Sequence, residues 1–228
     1  MVGGETVKIL IHASPRRMWY VEDFLMPELR KQGAETIDVF VDRVKLGNLD
    51  ACMQSFRHCE GYGGTWHIQD DVLPCRDFVQ RCQEYESDGV VYGFCNEQFL
   101  DDPEMTGRVS VSNVWHSFQC VRIPDAYARE CAEWFYSNGW HKSTLPELVI
   151  LRGQHRGDDT FFREFLKLCH GDESFTNAAP NLVEHVDWII GGSIISPWRG
   201  YLARAYYWED EELVKELKEA VKGKVKYE

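Results

Sequence analysis

Thr65-Trp66-His67-Ile68-Gln69-Asp70-Asp71-Val72 is the stretch that decides the fold. It reads as a short buried strand ending in two adjacent carboxylates. Leu73-Pro74-Cys75-Arg76-Asp77-Phe78-Val79 follows, opening with a turn and passing into helical spacing from Cys75 to Glu86. Two acids at the carboxyl end of a strand repel one another, and the cost is tolerable when positive charge sits between them. Oxygen ligands point to a divalent cation of the Mg²⁺ or Mn²⁺ type, left open enough to grip a diphosphate. Capping of the following helix by Asp70 and Asp71 is the alternative use of the same residues.

Upstream, Val7-Lys8-Ile9-Leu10-Ile11-His12 is a β-branched run that predicts a first strand. Helical periodicity runs from Met18 to Lys31 with Gly33 as its C-cap, and Thr36 to Asp42 predicts a second strand. Strand, helix and strand at this spacing form a βαβ unit, hence a parallel sheet. Ligands bind at the carboxyl ends of such strands, where Ser14, Arg16, Arg17 and Asp42 fall. The arginines suit a nucleotide or its phosphates, with solvated charges at a helix start as the alternative use of each taken singly. Asp42 suits a ribose or base edge, or a solvated turn. No GxGxxG and no GxxxxGK[ST] is present, which disfavours a dinucleotide fold and a P-loop.

Further along, residues 47 to 61 predict a capped helix, Val90 to Phe94 a strand, 96 to 108 a loop, Val109 to Gln119 a strand, and Asp125 to Tyr136 a helix begun by Pro124. Gly157-Asp158-Asp159 opens a helical stretch from Thr160 to Cys169, where acids also gain from the helix dipole. Asn181 to Val186 predicts a short strand carrying His185, and 209 to 224 a charged amphipathic helix.

Composition narrows the function. With 44 % hydrophobic residues the 228-residue chain can bury a sizeable core as one domain. A net charge of -12 argues against a broad basic surface for duplex DNA. The eight cysteines include no CxxC pair, which disfavours structural zinc and predicts buried reduced thiols. No apolar run spans a bilayer and no signal-peptide pattern opens the chain, so a soluble cytoplasmic protein with no membrane partner is expected.

Taken in order, Ile11-His12-Ala13-Ser14-Pro15-Arg16-Arg17, His67-Ile68-Gln69-Asp70-Asp71-Val72, Gly157-Asp158-Asp159 and Leu182-Val183-Glu184-His185-Val186 resemble nucleotide-sugar glycosyltransferases of the GT-A fold. The likeness is to small members with an "EDD"-type metal motif, including bacteriophage enzymes, and it covers Val7 to Trp208. It implies an α/β, Rossmann-related, mixed and mostly parallel sheet flanked by helices. Residues 1–95 would form the nucleotide-sugar half, 96–208 the acceptor and catalytic half, and 209–228 a C-terminal helix. Gln69 stands where the family usually has an acid, which removes one charge from the metal motif. The resemblance implies Asp71 and His185 as ligands of Mn²⁺ or Mg²⁺, though a lone His185 also suits strand packing. It implies Ser14, Arg16, Arg17, Asp42 and Asp70 as contacts to the nucleotide sugar. Asp159 would be the base that deprotonates the acceptor hydroxyl in an inverting reaction, with Asp158 as its positioning partner.

The expected activity is therefore metal-dependent transfer from a UDP-sugar to a hydroxyl. Similarity to phage enzymes suggests 5-hydroxymethylpyrimidines in DNA, reached through Trp140, Lys142, Trp198, Arg199, Tyr201 and Arg204. A glycan or small molecule is the other acceptor class. A Mg²⁺-dependent nucleotidyltransferase and a non-catalytic binding module are the competing functions.

Overall fold

The computed structural model describes residues 6–44, 46–59, 61, 63–86, 89–94, 107–110, 118–138, 157–171, 176–179, 181–187, 189–191 and 211–224. Strands are β1 (Lys8–Ala13), β2 (Thr36–Val41), β3 (Gly64–Gln69), β4 (Val72–Pro74), β5 (Val91–Tyr92), β6 (Gly107–Ser110), β7 (Cys120–Pro124), β8 (Thr176–Ala179) and β9 (Val183–His185). Seven of them form one sheet in the order β2-β1-β3-β7-β5-β8-β6. β2, β1 and β3 are mutually parallel, β7 runs against β3 and β5, β8 follows β5, and β6 opposes β8. The sheet is thus mixed, with all but β6 and β7 pointing one way. It continues across the boundary expected between residues 95 and 96.

Alternation along β1 explains why both faces are covered. Ile9 and Ile11 point into one core, against Tyr20, Leu25, Leu29, Trp66, Ile68, Leu213 and Leu217, while Leu10 joins the other, with Phe56, Val121, Phe135 and Phe162. The first core lies under the helical run that starts at Pro15, comprising a 3₁₀ turn (Pro15–Arg17), α1 (Met18–Tyr20), a π segment (Val21–Leu25) and α2 (Met26–Lys31). α4 (Phe78–Gln83) and the C-terminal α7 (Glu211–Ala220) pack there too. The second core lies under α3 (Asn48–Phe56), α5 (Asp125–Ser137) and α6 (Asp158–Phe165). α6 is pinned by Phe161, Phe162 and Phe165, all fully buried and each contributing on the order of 2 kcal/mol.

Two expectations change. The turn expected at Leu73 is instead β4, paired antiparallel with β9, with Val72 opposite His185 and Pro74 opposite Val183. Val72 and Leu73 are both fully buried, so the chain stays extended to bury them and finds backbone partners in a distant segment. Cys120–Pro124, on which no strand was expected, is the central β7, and Pro124 is the cap residue before α5 rather than its first turn. Its apolar run is short and broken by Arg122, which hides the strand locally. Arg122 is nevertheless buried, donating to the carbonyls of Glu86 and of Gly89 at 3.1 Å. The seven described cysteines are free thiols, all but Cys75 and Cys169 buried.

The guanidinium of Arg122 lies flat against Gly64, where an added Cβ would sit 2.5 Å from Cζ. Gly64→Ala is therefore expected to destabilise the fold by about 1–3 kcal/mol, because this arginine cannot retreat without losing both carbonyls. Urea denaturation measures it.

Candidate active site

β1, β2 and β3 end side by side because they are parallel neighbours in register, His12 beside Phe40 and Gln69. A cavity of about 670 Å³ opens at their carboxyl ends, lined by Ser14, Arg16, Arg17, Asp42, Gln69, Asp70 and Asp71 among others. Every residue expected to contact the nucleotide sugar therefore faces one space.

At its centre the two acids meet a positive group supplied by the chain itself. Arg17 is 5 % exposed, and its Nη1 donates to Asp70 Oδ1 at 3.0 Å and to Asp71 Oδ2 at 2.7 Å. Ser14 N–H donates to Asp70 Oδ2 at 2.5 Å. Burial disfavours charge on Arg17, but Asp71 and Asp70 outweigh it and raise its pKa. Burial and the neighbouring charge of Asp71 raise Asp70, against the pull of Arg17 and the Ser14 amide. Burial would raise Asp71 too, but His185 and Arg17 hold it well below the ordinary carboxylate range.

His185 arrives through the β4–β9 pairing, which sets its Nε2 3.2 Å from Asp71 Oδ2 and 3.7 Å from Asp187 Oδ2. Burial opposes a charged imidazole, yet Asp71 and Asp187 raise its pKa above the usual histidine value. Asp187, unremarked in the sequence, is 1 % exposed, and both its oxygens lack a hydrogen-bond partner among the described residues. Asp71 Oδ1 lacks one as well.

These orphaned oxygens bear on whether a cation fits. Among the described residues no three His, Cys, Asp or Glu side chains are grouped to hold a metal ion unaided. Mg²⁺-type sites, however, use one or two protein ligands, with substrate phosphates and water completing the shell. Asp71, with its unpartnered Oδ1 beside an open cavity, fits that sparse arrangement, and His185 would join it on giving up the proton that Asp71 and Asp187 favour.

The second acid pair divides its work. Asp158, at the start of α6, is 5 % exposed and accepts from Asn48 Nδ2 at 2.8 Å and Gln69 Nε2 at 3.4 Å. Burial, then the charge of Asp159, pushes it up to about 7. Asp159 Oδ1 instead accepts from Thr160 N–H at 2.6 Å, within the first turn of its own helix. Asp158 thus stands against the cavity-lining residues Asn48 and Gln69.

The remaining expected residues take varied positions. Ser14 Oγ is buried with no hydrogen-bond partner among the described residues. Arg16 is exposed at the rim. Asp42 lines the cavity but also accepts from Leu46 N–H at 3.0 Å and Gly47 N–H at 3.4 Å, closing the β2–α3 loop. Trp140, Lys142, Trp198, Arg199, Tyr201 and Arg204 lie outside the described residues. His12, unassigned in the sequence, lines the cavity and shares a 3.0 Å hydrogen bond with His67. Burial lowers His12 to about 4, and burial followed by the His12 charge lowers His67 well below the ordinary histidine value, which favours a neutral pair. Strand alternation placing His12 on the face of Leu10 was the available signal. No helix of the described residues is long and apolar enough to cross a membrane.

No protein-family model matches the chain, and no curated protein does. Among solved structures it is similar to A197 from STIV, at 14 % identity and a TM-score of 0.41 over 78 % of this chain and 84 % of that one. It is similar also to HddC from Yersinia pseudotuberculosis, at 10 % identity and a TM-score of 0.30 over 54 % of this chain and 79 % of that one.

Proposed function

We infer that the protein transfers a sugar from a nucleoside diphosphate sugar, UDP-linked in the first instance, to an acceptor hydroxyl with inversion. The observation that carries this reading is one cavity at the carboxyl ends of three parallel strands, lined by the exposed Arg16 and by Asp71, with His185 beside Asp71 and a buried acid behind Gln69. Arg16 and the unpartnered Ser14 hydroxyl suit phosphate and ribose oxygens. Asp70 and Arg17 brace the centre of the site through their mutual bond. Asp71 and His185 would hold Mn²⁺ or Mg²⁺, which when bound neutralises the charge growing on the departing diphosphate.

In the reaction the acceptor oxygen attacks the anomeric carbon and forms the new C–O bond. The bond from that carbon to the β-phosphate oxygen breaks, and its electron pair leaves with the nucleoside diphosphate. The acceptor's proton passes to a carboxylate. We assign that step to Asp158 rather than Asp159 because its two oxygens are held by the cavity-wall amides of Asn48 and Gln69, while burial raises its pKa toward the neutral range.

The test is release of UDP from UDP-glucose, UDP-galactose and UDP-GlcNAc with Mn²⁺ or with a chelator. Acceptor arms contain 5-hydroxymethylcytosine DNA, glycans or water. Asp71→Ala is expected to lower turnover by about 10²-fold or more, and unchanged turnover in that variant rejects the reading. Pyrophosphate release from nucleoside triphosphates, without UDP release from any sugar, would establish the nucleotidyltransferase instead.

A further inference from the structure

We propose that Asn48 and Gln69 form an amide clamp that positions Asp158 as the base for the incoming hydroxyl, and that this is why an amide rather than an acid ends β3. The inference rests on the glycosyltransferase reading above and assigns two positioning residues to it.

The clamp is built from three separate elements. Asn48 is the first residue of α3, Gln69 the last of β3, and Asp158 the first of α6. Asn48 Nδ2 donates to Oδ1 at 2.8 Å, and Gln69 Nε2 reaches Oδ2 at 3.4 Å. Asp159 N–H adds a bond to Oδ1 at 3.0 Å. Each carboxylate oxygen thus has its own side-chain amide, which leaves one orientation of the group favoured. Asn48 and Gln69 both line the cavity, so the clamp joins its wall to the acid behind it.

Charge explains the choice of an amide. Position 69 immediately precedes Asp70 and Asp71, and faces Asp158. A carboxylate there would make three consecutive acids against a fourth, with Arg17 already shared between two. Glutamine donates without adding charge. The titratable groups near Asp158 are Asp159 on its own turn, Cys52 from α3 and Tyr92 from β5, with Arg163 acting on Tyr92 from the same helix as the acids. None of them replaces either amide as a donor in the described contacts to Asp158.

Two readouts on the full chain test the proposal. The first is the Asp158 titration followed by ¹³C-carboxyl NMR in the parent, Asn48→Ala, Gln69→Met and Gln69→Glu. The second is the pH profile of UDP release from UDP-glucose with Mn²⁺, with kcat and KM separated. Losing a donor destabilises the carboxylate, so both neutral variants are expected to shift its midpoint upward by about one unit. Gln69→Glu should shift it further. The ascending limb of kcat should move by the same amount. Gln69→Met keeps the side-chain volume, so a folded variant is available even if Asn48→Ala unfolds. Midpoints that stay put in the folded variants overturn the clamp. Midpoints that move while the rate profile does not overturn Asp158 as base. A parent with no turnover of any nucleotide sugar rejects the underlying function, and the NMR shifts then report hydrogen bonding alone, which also overturns the proposal.

Discussion

Arg17→Ala should unfold about 3–5 kcal/mol more easily than the parent at neutral pH, because it strands two buried carboxylates. Asp70 is 5 % exposed, and the Asp71 side chain is 13 % exposed, so water cannot take over from the guanidinium. The dependence on pH separates this from loss of packing. Asp71 is held below its ordinary range, so its contribution is present above the ordinary carboxylate value and is lost as pH falls through the lowered one. The variant lacks part of that depression. The gap between variant and parent is therefore widest near pH 7 and narrows as acid protonates both carboxylates. Arg17→Lys keeps a charge but lacks the planar fork, and should recover only part of the loss. Urea denaturation of the three proteins at neutral and mildly acidic pH measures each step. A pH-independent gap would show that Arg17 matters for its packing rather than for the acids.

That cluster also marks where local reading stops. The acid-tipped strand, the βαβ unit and the arginine-bearing loop are written in short-range patterns, and they appear as β1, β2, β3 and the Pro15–Lys31 run. The need for positive charge between Asp70 and Asp71 was equally legible. Its resident source, a side chain more than fifty positions upstream, depends on how the first loop folds over β3. His185 was visible as a strand residue, but its place beside Asp71 depends on Val72 pairing with it across the chain. Such register between distant segments leaves no periodic trace. β7 escaped for a related reason, since Arg122 interrupts its apolar run and finds its partners in the segment before β5, in the carbonyls of Glu86 and Gly89 and the Glu86 carboxylate. Within the second acid pair, the resemblance ranked Asp159 first, whereas the contacts of the folded chain turn Asp158 toward Gln69. Adjacent residues at a helix start diverge by about a third of a turn, and only packing decides which one turns toward β3.

That divergence gives the other large effect, in which activity and stability move in opposite directions. Asp158→Asn is expected to reduce sugar transfer by about 10²–10⁴-fold, since the amide cannot take the acceptor's proton. The same change should stabilise the fold at pH 8 by about 1–3 kcal/mol. The sign follows from the raised pKa near 7. Between the ordinary aspartate value and that point, the folded protein holds a proton that the unfolded chain has lost. Stability therefore falls as pH rises through this window, and the full penalty applies above it. Asparagine is neutral throughout and escapes the penalty, so its advantage should be large at pH 8 and small at pH 5. Its oxygen can keep the Asn48 bond, and Gln69 can present its own carbonyl to the new amide after a flip. Asp159→Asn is the control. Its carboxylate bonds the neighbouring Thr160 N–H in the first helical turn, so the change should cost about 1 kcal/mol or less and leave most of the transfer rate intact. Parallel urea denaturation and UDP-release assays on both variants decide the matter. If Asp159→Asn abolishes transfer while Asp158→Asn merely slows it, the base is the half-buried member of the pair, and the buried one is a structural acid tolerated at a cost.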